Sequence, residues 1–502
     1  MAGRFGPDAT PEEIVRQESQ FGRLPLLPPE REYGSLGAHA TCFAYAVATW
    51  CFMIGGIVAN RAGAIQGAVA LTAGVMVGVF ITNMATALAC HRYGLEQVDF
   101  CKTAFGQRGT RIVLVFYIIN QIGWNGLILV MFGNGIRNIA RALGHHPGPW
   151  IVSVGVVIGL WLTYLLVTRG VHLLNVANAF ITPGLAILTA MMFALLLWRH
   201  GWAAIVAAPP LAPGPDPLLD YLLVFEWGVA TGISWWGAIG FLARNTRRRR
   251  DVVYPQLVQL GLGLCLVCCV SLFSSLVART DDPTEWMIPI GGPVLGLVAL
   301  LFVALANVST SAIQTFTCGL AFRHLGPLKE RPWRQLVLWT VVLTLPYAIW
   351  PEFLYRHGNT FLSYNGTIYA PICGVLFADY FAVRRGRVDI WGIFEDDPSG
   401  AYHYRGGFNW PAIVAVAAGI GLFYALLDPL TFESAALFRW LTASLPVAVA
   451  SGLIYWGLMA LAAWRIAGAR AVANRPAGGG FGAVPAPADG GAPARRLIRP
   501  NI

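Results

Sequence analysis

The sequence predicts an all-α integral membrane protein with about twelve membrane-spanning helices. Hydrophobic residues make up 56% of the 502 residues and charged ones only 12%, where soluble domains devote roughly a quarter to charge; mean hydropathy is +0.59. Apolar runs of about 20 residues, the length that crosses a bilayer's hydrocarbon, recur along the chain. About 28 of the 35 Lys and Arg fall in the two termini and the even-numbered loops, and about seven on the other side. That asymmetry follows the positive-inside rule and predicts an even span count, both termini cytoplasmic, in the plasma (inner) membrane.

Taken in order, residues 1–33 form a cytoplasmic tail carrying Glu12, Glu13, Glu18, Glu30 and Glu32. The tail has no apolar h-region, so the first span inserts itself. Apolar runs then start near 38, 63, 111, 149 and 172, within a first unit of 34–200. A Pro-rich external connector, Pro209 to Pro217, separates these from runs near 219, 254, 292, 335 and 358, a second unit of 218–385. Two further runs, near 410 and 444, complete the core 34–466 as 408–466, and those near 335 and 410 are the weakest of the set. Residues 467–502 are rich in Gly, Ala, Pro and Arg and read as a disordered cytoplasmic tail. Two groups of five spans, an odd number, insert with opposite orientations, which is the arithmetic of an inverted repeat.

Several function classes are set aside by position. The net charge of +10 is mostly the loop bias, and Arg247 to Arg250, after the sixth span, is a cytoplasmic anchor rather than a nucleic-acid site. Cys265, Cys268 and Cys269 lie inside an apolar run and pack as small hydrophobes. His145-His146, followed by Pro147 and Gly148, reads as an external turn. The acidic clusters Asp281-Asp282 and Glu395-Asp396-Asp397 lie beside Pro in loops on opposite sides of the membrane, so they do not build one enzyme site. No span carries the polar stripe of a pore. The expectation is no enzyme, no cofactor, no nucleic acid, no obligate protein partner, and a lipid bilayer as surroundings.

Polar and helix-breaking positions at mid-membrane are the informative ones. Ser309 and Thr310, in the run Ala306 to Thr315, place two hydroxyl oxygens in the eighth span, a donor type suited to an alkali cation, although such hydroxyls also bond to their own backbone. The first span carries the small-residue run Phe43 to Phe52 followed by Gly55-Gly56, and the sixth carries Gly228, Gly232, Ser234 to Gly237 and Gly240. Either allows a break that frees backbone carbonyls, or close packing of helices. In the third span Gln121 and Trp124, three apart, share a face. A carboxamide beside an indole suits a flat heterocycle, with the ring stacked on the indole and its polar edge paired to the amide. Trp124 lies mid-span, away from an interfacial belt, and Trp235 takes the same stacking role.

These residues resemble the nucleobase:cation symporter-1 family, the cytosine, uracil, allantoin and hydantoin permeases. The similarity runs from about Pro28 to Trp464. It rests on Ala370 to Arg385, with Pro371, Gly374 and Asp379-Tyr380 followed by basic residues; on Tyr402 to Asn409; and on Gly94, Phe105-Gly106 and Gly109. The resemblance implies a leucine-transporter-like fold of two inverted five-helix repeats plus two extra helices, with the first and sixth helices broken. It implies a symporter importing a flat nitrogen heterocycle with a cation, Na+ first and H+ as the alternative, or a substrate-sensing homologue. It places the cation on the carbonyls of Ala44, Val47 and Ala306 and the hydroxyls of Ser309 and Thr310. It places the substrate against Trp124 and Trp235, with Gln121, Gln314 and Thr315 as the polar set.

The chain departs from the family pattern at several of these positions. Ile128 stands where many members have Gln, and Gln121 precedes Trp124 as in cytosine permeases. Ala48 stands where a carboxamide is frequent, Thr315 where Asn is, and Arg244 where an acid is. Trp50 and Trp236 add bulk expected to narrow the pocket. Glu226, early in the sixth span, is the proton-coupling candidate, read as a solvated interfacial carboxylate; Asp379 reads as a structural salt bridge.

Overall fold

The computed structural model describes residues 24–169, 171–328, 331–395 and 397–473. Residues 1–23 and 474–502 of the two expected tails lie outside the described residues, as does Asp396. The described chain is helical throughout, with only three isolated bridges of extended backbone.

The first apolar run forms α1 (Ser35–Ala46) and α2 (Trp50–Arg61), bent by 56° at the residues between them. Next come α3 (Ala64–Tyr93), the amphipathic α4 (Gln97–Phe105), α5 (Thr110–Ala142), α6 (Trp150–Thr168) and α7 (Val171–Ala207). The chain after the Pro-rich connector also opens on a bent pair. It begins with α8 (Pro217–Ser234) and α9 (Trp236–Arg244), bent by 43°. It continues through α10 (Arg250–Ala278), α11 (Pro283–His324), α12 (Trp333–Thr344) and α13 (Gly358–Val383). Two helices follow, α14 (Trp410–Leu426) and α15 (Ser444–Ala473), the last running seven residues into the stretch expected as tail. Among the described residues eight helices are long and apolar enough to cross a membrane, or ten when each bent pair counts as one span. The remaining expected spans, near 335 and 410, are the short α12 and α14, the two with the weakest sequence signal.

Glycine decides how the bundle closes. α8 lies along α3 with Gly228 and Gly232 facing Gly74 and Gly78; a Cβ on Gly78 would meet the Val229 carbonyl at 2.2 Å, and one on Gly232 the Val75 carbonyl at 2.5 Å. These glycines therefore serve close packing, not unwinding. Gly55 and Gly56 do the same for α2, against the Cys268 and Asp281 carbonyls. The break in the first span instead falls upstream, at Val47 to Thr49. α11 packs chiefly along α5, with further contacts to α6, α7 and α12.

The three stretches that carry the family resemblance meet at the basic end. Asp379 is fully buried; its carboxylate accepts from the Arg384 Nε at 2.7 Å, the Thr103 hydroxyl at 2.8 Å and the Tyr455 hydroxyl at 2.7 Å. Arg384 also reaches the Tyr404 hydroxyl, and the Arg108 amide donates to the Gly407 carbonyl at 2.8 Å. α4, α13, α15 and the 402–409 loop are thus fastened at one point, the structural reading of Asp379. All nine cysteines are free.

Candidate transport site

A cavity of about 1200 Å³ runs from the two helix breaks to the end where Arg31, Asn245 and Arg247 lie. Its inner wall draws on both breaks and on the helices beside them. α1 and the residue after it give Ala44, Tyr45 and Val47; α5 gives Tyr117, Gln121 and Trp124; the α8–α9 junction gives Ser234 and Trp235; α11 gives Thr310, Gln314 and Thr317; α7 adds Ile181, Thr182 and Leu185. The α11 residues recur at three or four positions, one stripe of a helix. The outer end of the cavity lies among the basic loop residues Arg31 and Arg247.

The break in the first span frees the carbonyls that the resemblance assigns to a cation. In a continuous helix the amides of Ala48 and Cys51 would bond to Ala44 and Val47. Here the Ala48 amide donates to the Ala46 carbonyl at 3.2 Å and the Cys51 amide to the Ala48 carbonyl at 3.2 Å. Val47 has left the helical region, with φ −88° and ψ 84°. Thr49, also at the break, is fully buried, and its hydroxyl has no hydrogen-bond partner. On α11 the Thr310 hydroxyl faces the cavity and donates to the Ala306 carbonyl at 3.0 Å. Ala306 and Ser309 are buried just behind the cavity surface. Every donor in this set is a neutral oxygen, which fits a hard monovalent cation better than a soft or highly charged one.

The aromatic part differs from the expected open slot. Trp124 and Trp235 both line the cavity, but Trp50 lies against each of them. Its ring centroid is 5.3 Å from that of Trp124 at 58° and 5.5 Å from that of Trp235 at 64°. Trp236, expected to add bulk, turns away; it is fully buried, stacks on Tyr369 at 5.6 Å and does not reach the cavity. Phe361 of α13 closes over Trp124 edge-on at 5.2 Å.

The polar wall is Gln121, whose amide donates to the Gln314 carboxamide oxygen at 2.6 Å and to the Thr317 hydroxyl at 2.6 Å. Thr317 is absent from the sequence-based set, although its spacing of seven from Thr310 carries the signal. Thr315 does not join the wall; it is fully buried and accepts from the Asn125 amide at 3.3 Å, in a network with Ser311, Thr163 and Thr344. That network fastens α5, α6, α11 and α12 behind the site. The amphipathic α4 reaches in as well, with the Gln97 amide bonded to the Gly237 carbonyl just after the second break.

One charged group departs from its sequence reading, and a second has no counterpart in it. Glu226 is not solvated: it is fully buried, and its carboxylate accepts the amides of Ala443 at 3.1 Å and Ser444 at 3.0 Å and the Ser444 hydroxyl. It caps the start of α15 from a neighbouring helix, a place with the partial positive charge of a helix N-terminus. At the cavity mouth, Glu96 stands at the start of α4, where burial pushes its carboxyl up to about 7 against the pull of Arg244.

Residues 39–437 match the sequence model of a family described as permease for cytosine/purines, uracil, thiamine, allantoin. The chain is 23% identical over 448 residues to the hydantoin permease of Microbacterium maritypicum, covering 84% of this chain and 87% of that one. It is 23% identical over 354 residues to the purine-uracil permease NCS1 of Arabidopsis thaliana, covering 65% of this chain and 58% of that one, less than two thirds of the plant protein's length. The fold is that of Mhp1. Its inward-facing conformation superposes with a TM-score of 0.74 at 19% identity, over 87% of this chain and 93% of that one. Its closed conformation with bromovinylhydantoin bound superposes with 0.69 at 19% identity, over 88% and 96%. The chain is a multi-pass membrane transporter, not an enzyme, and belongs to the family of permeases for cytosine/purines, uracil, thiamine and allantoin, the nucleobase:cation symporter-1 transporters.

Proposed function

We propose that the protein imports a flat, neutral, nitrogen-rich ring of the cytosine, uracil, allantoin or hydantoin type together with Na+, by alternating access in the plasma (inner) membrane, with both termini cytoplasmic. The observation that carries this reading is the release of the Ala44 and Val47 carbonyls at a break facing the same cavity as Trp124, Trp235, Gln121 and Gln314. The cation gathers those two carbonyls with the Ala306 carbonyl and the Ser309 and Thr310 hydroxyls, tying α1 to α11. The ring stacks on the indoles, and the carboxamides of Gln121 and Gln314 pair with its polar edge, each able to present either a donor or an acceptor. Coupling follows only from differential affinity: the cation must bind more tightly to the state that also accepts substrate.

Uptake by the reconstituted protein tests this, with radiolabelled uracil, cytosine, allantoin and hydantoin under an imposed Na+ or pH gradient. Accumulation driven by Na+ and reduced roughly tenfold or more in Ser309→Ala and Thr310→Ala, at unchanged membrane insertion, is the expected result. Uptake that follows the pH gradient and ignores Na+ in wild type and both variants overturns the cation assignment.

A further inference from the structure

A ring of the protein itself already lies against both cavity indoles. A planar ligand held between Trp124 and Trp235 would lie in van der Waals contact with both, about 3.5–4 Å from each face. Trp50 already packs against both indoles, its centroid 5.3 Å from that of Trp124 at 58° and 5.5 Å from that of Trp235 at 64°. Trp50 is buried at 7% exposure yet lines the cavity. A ligand stacked on both indoles would compete with this side chain for them.

What moves Trp50 is written in its position. It is the first residue of α2, directly after the break at Val47 to Thr49. The backbone that releases the Ala44 and Val47 carbonyls therefore also roots the indole, and the hydroxyl of Thr49 beside it is buried without a partner. A ligand that drew those carbonyls together would act directly on the start of α2 and its first side chain.

We propose that Trp50 is an aromatic plug that competes with the substrate for the slot between Trp124 and Trp235, and that a cation on the carbonyls of the same break decides the competition. This rests on the heterocycle reading above. It makes Trp50 the residue that converts cation binding into substrate affinity, a positioning residue rather than a ligand. Removal of the plug therefore frees the slot without the cation.

The test is a thermal-shift titration of the purified full chain with uracil, cytosine, allantoin and hydantoin, each in NaCl or in choline chloride at equal ionic strength. Wild type, Trp50→Ala and Trp50→Phe are compared. For the probe that stabilises wild type more strongly in NaCl, Trp50→Ala should half-saturate in choline chloride at roughly tenfold lower concentration, the worth of two aromatic contacts no longer given up. The ratio between the two media should shrink towards one, with Trp50→Phe in between. Weaker binding of Trp50→Ala in both media, with the wild-type ratio kept, makes Trp50 a fixed stacking wall and overturns the plug. No stabilisation of wild type by any of the four probes overturns the heterocycle reading itself, and the plug with it. If Trp50→Ala does not yield folded protein, the smaller ring of Trp50→Phe carries the same comparison, and affinity in choline chloride no higher than wild type is then the refuting result.

Discussion

Glu226 separates a structural carboxylate from a proton carrier. Its two oxygens accept the Ala443 and Ser444 amides and the Ser444 hydroxyl at the start of α15. Glu226→Gln keeps the shape but sets an NH2 group against amide donors, so at least one bond to a charged acceptor is lost, about 1.5–3 kcal/mol. The helix N-terminus also loses its compensating charge, about 0.3–2 kcal/mol. Together the substitution should cost roughly 2–5 kcal/mol. The measurement is the melting temperature of the purified variant in detergent, beside uptake under imposed pH and Na+ gradients. A melting temperature lower by several degrees with wild-type ion dependence is expected. An unchanged melting temperature with loss of pH-driven uptake would refute the argument and reinstate Glu226 as the proton site.

Three other perturbations follow from packing and charge. Gly232→Ala places a carbon 2.5 Å from the Val75 carbonyl and should cost about 1–3 kcal/mol, with Gly232→Leu giving no monodisperse protein on size-exclusion chromatography. Asp379→Asn leaves the Arg384 guanidinium without its anion in the fastening at the basic end and should destabilise by about 3–5 kcal/mol, read as a lower melting temperature with the substrate site's chemistry intact. Glu96 titrates near 7 in the folded chain instead of near 4.5. Its contribution is therefore full below pH 4.5 and falls, by up to roughly 3 kcal/mol, as pH rises to 7. Glu96→Gln should flatten the melting temperature over that window and raise it at pH 7.5, and a slope equal to wild type would show that another group is responsible.

Side-chain chemistry with helical spacing was legible in the sequence; backbone chemistry and orientation around a helix were harder. Gln121 and Trp124 share a face and both reach the cavity. Thr315 matches a family position yet faces away from the cavity, because five residues beyond Thr310 is about 140° around the helix, off the stripe of Thr310, Gln314 and Thr317. Thr317, seven residues on, lies back on that stripe. The buried setting of Glu226 is not legible in the sequence, because its partners, Ala443 and Ser444, lie more than two hundred residues away and offer amides, which no side-chain pattern announces. The carbonyls of Ala44 and Val47 leave no side-chain signature either, and only the family resemblance points to them.

The site of the first break shows why glycine content is a poor guide to it. Gly55 and Gly56 lie where carbonyls of other segments approach to about 2 Å of a Cβ that is not there, so their conformational freedom is already spent on packing. The break uses Val47, Ala48 and Thr49. Two of these are β-branched, poorer helix formers than the residues around them but far stiffer than glycine. A glycine break would leave the carbonyls and the following side chain free to sample many orientations, and binding a cation would then cost the entropy of ordering them. A break of β-branched residues holds few orientations. Such a break can hand a small change at two carbonyls to the indole of Trp50 without losing it in backbone disorder, which is what coupling between two ligands requires.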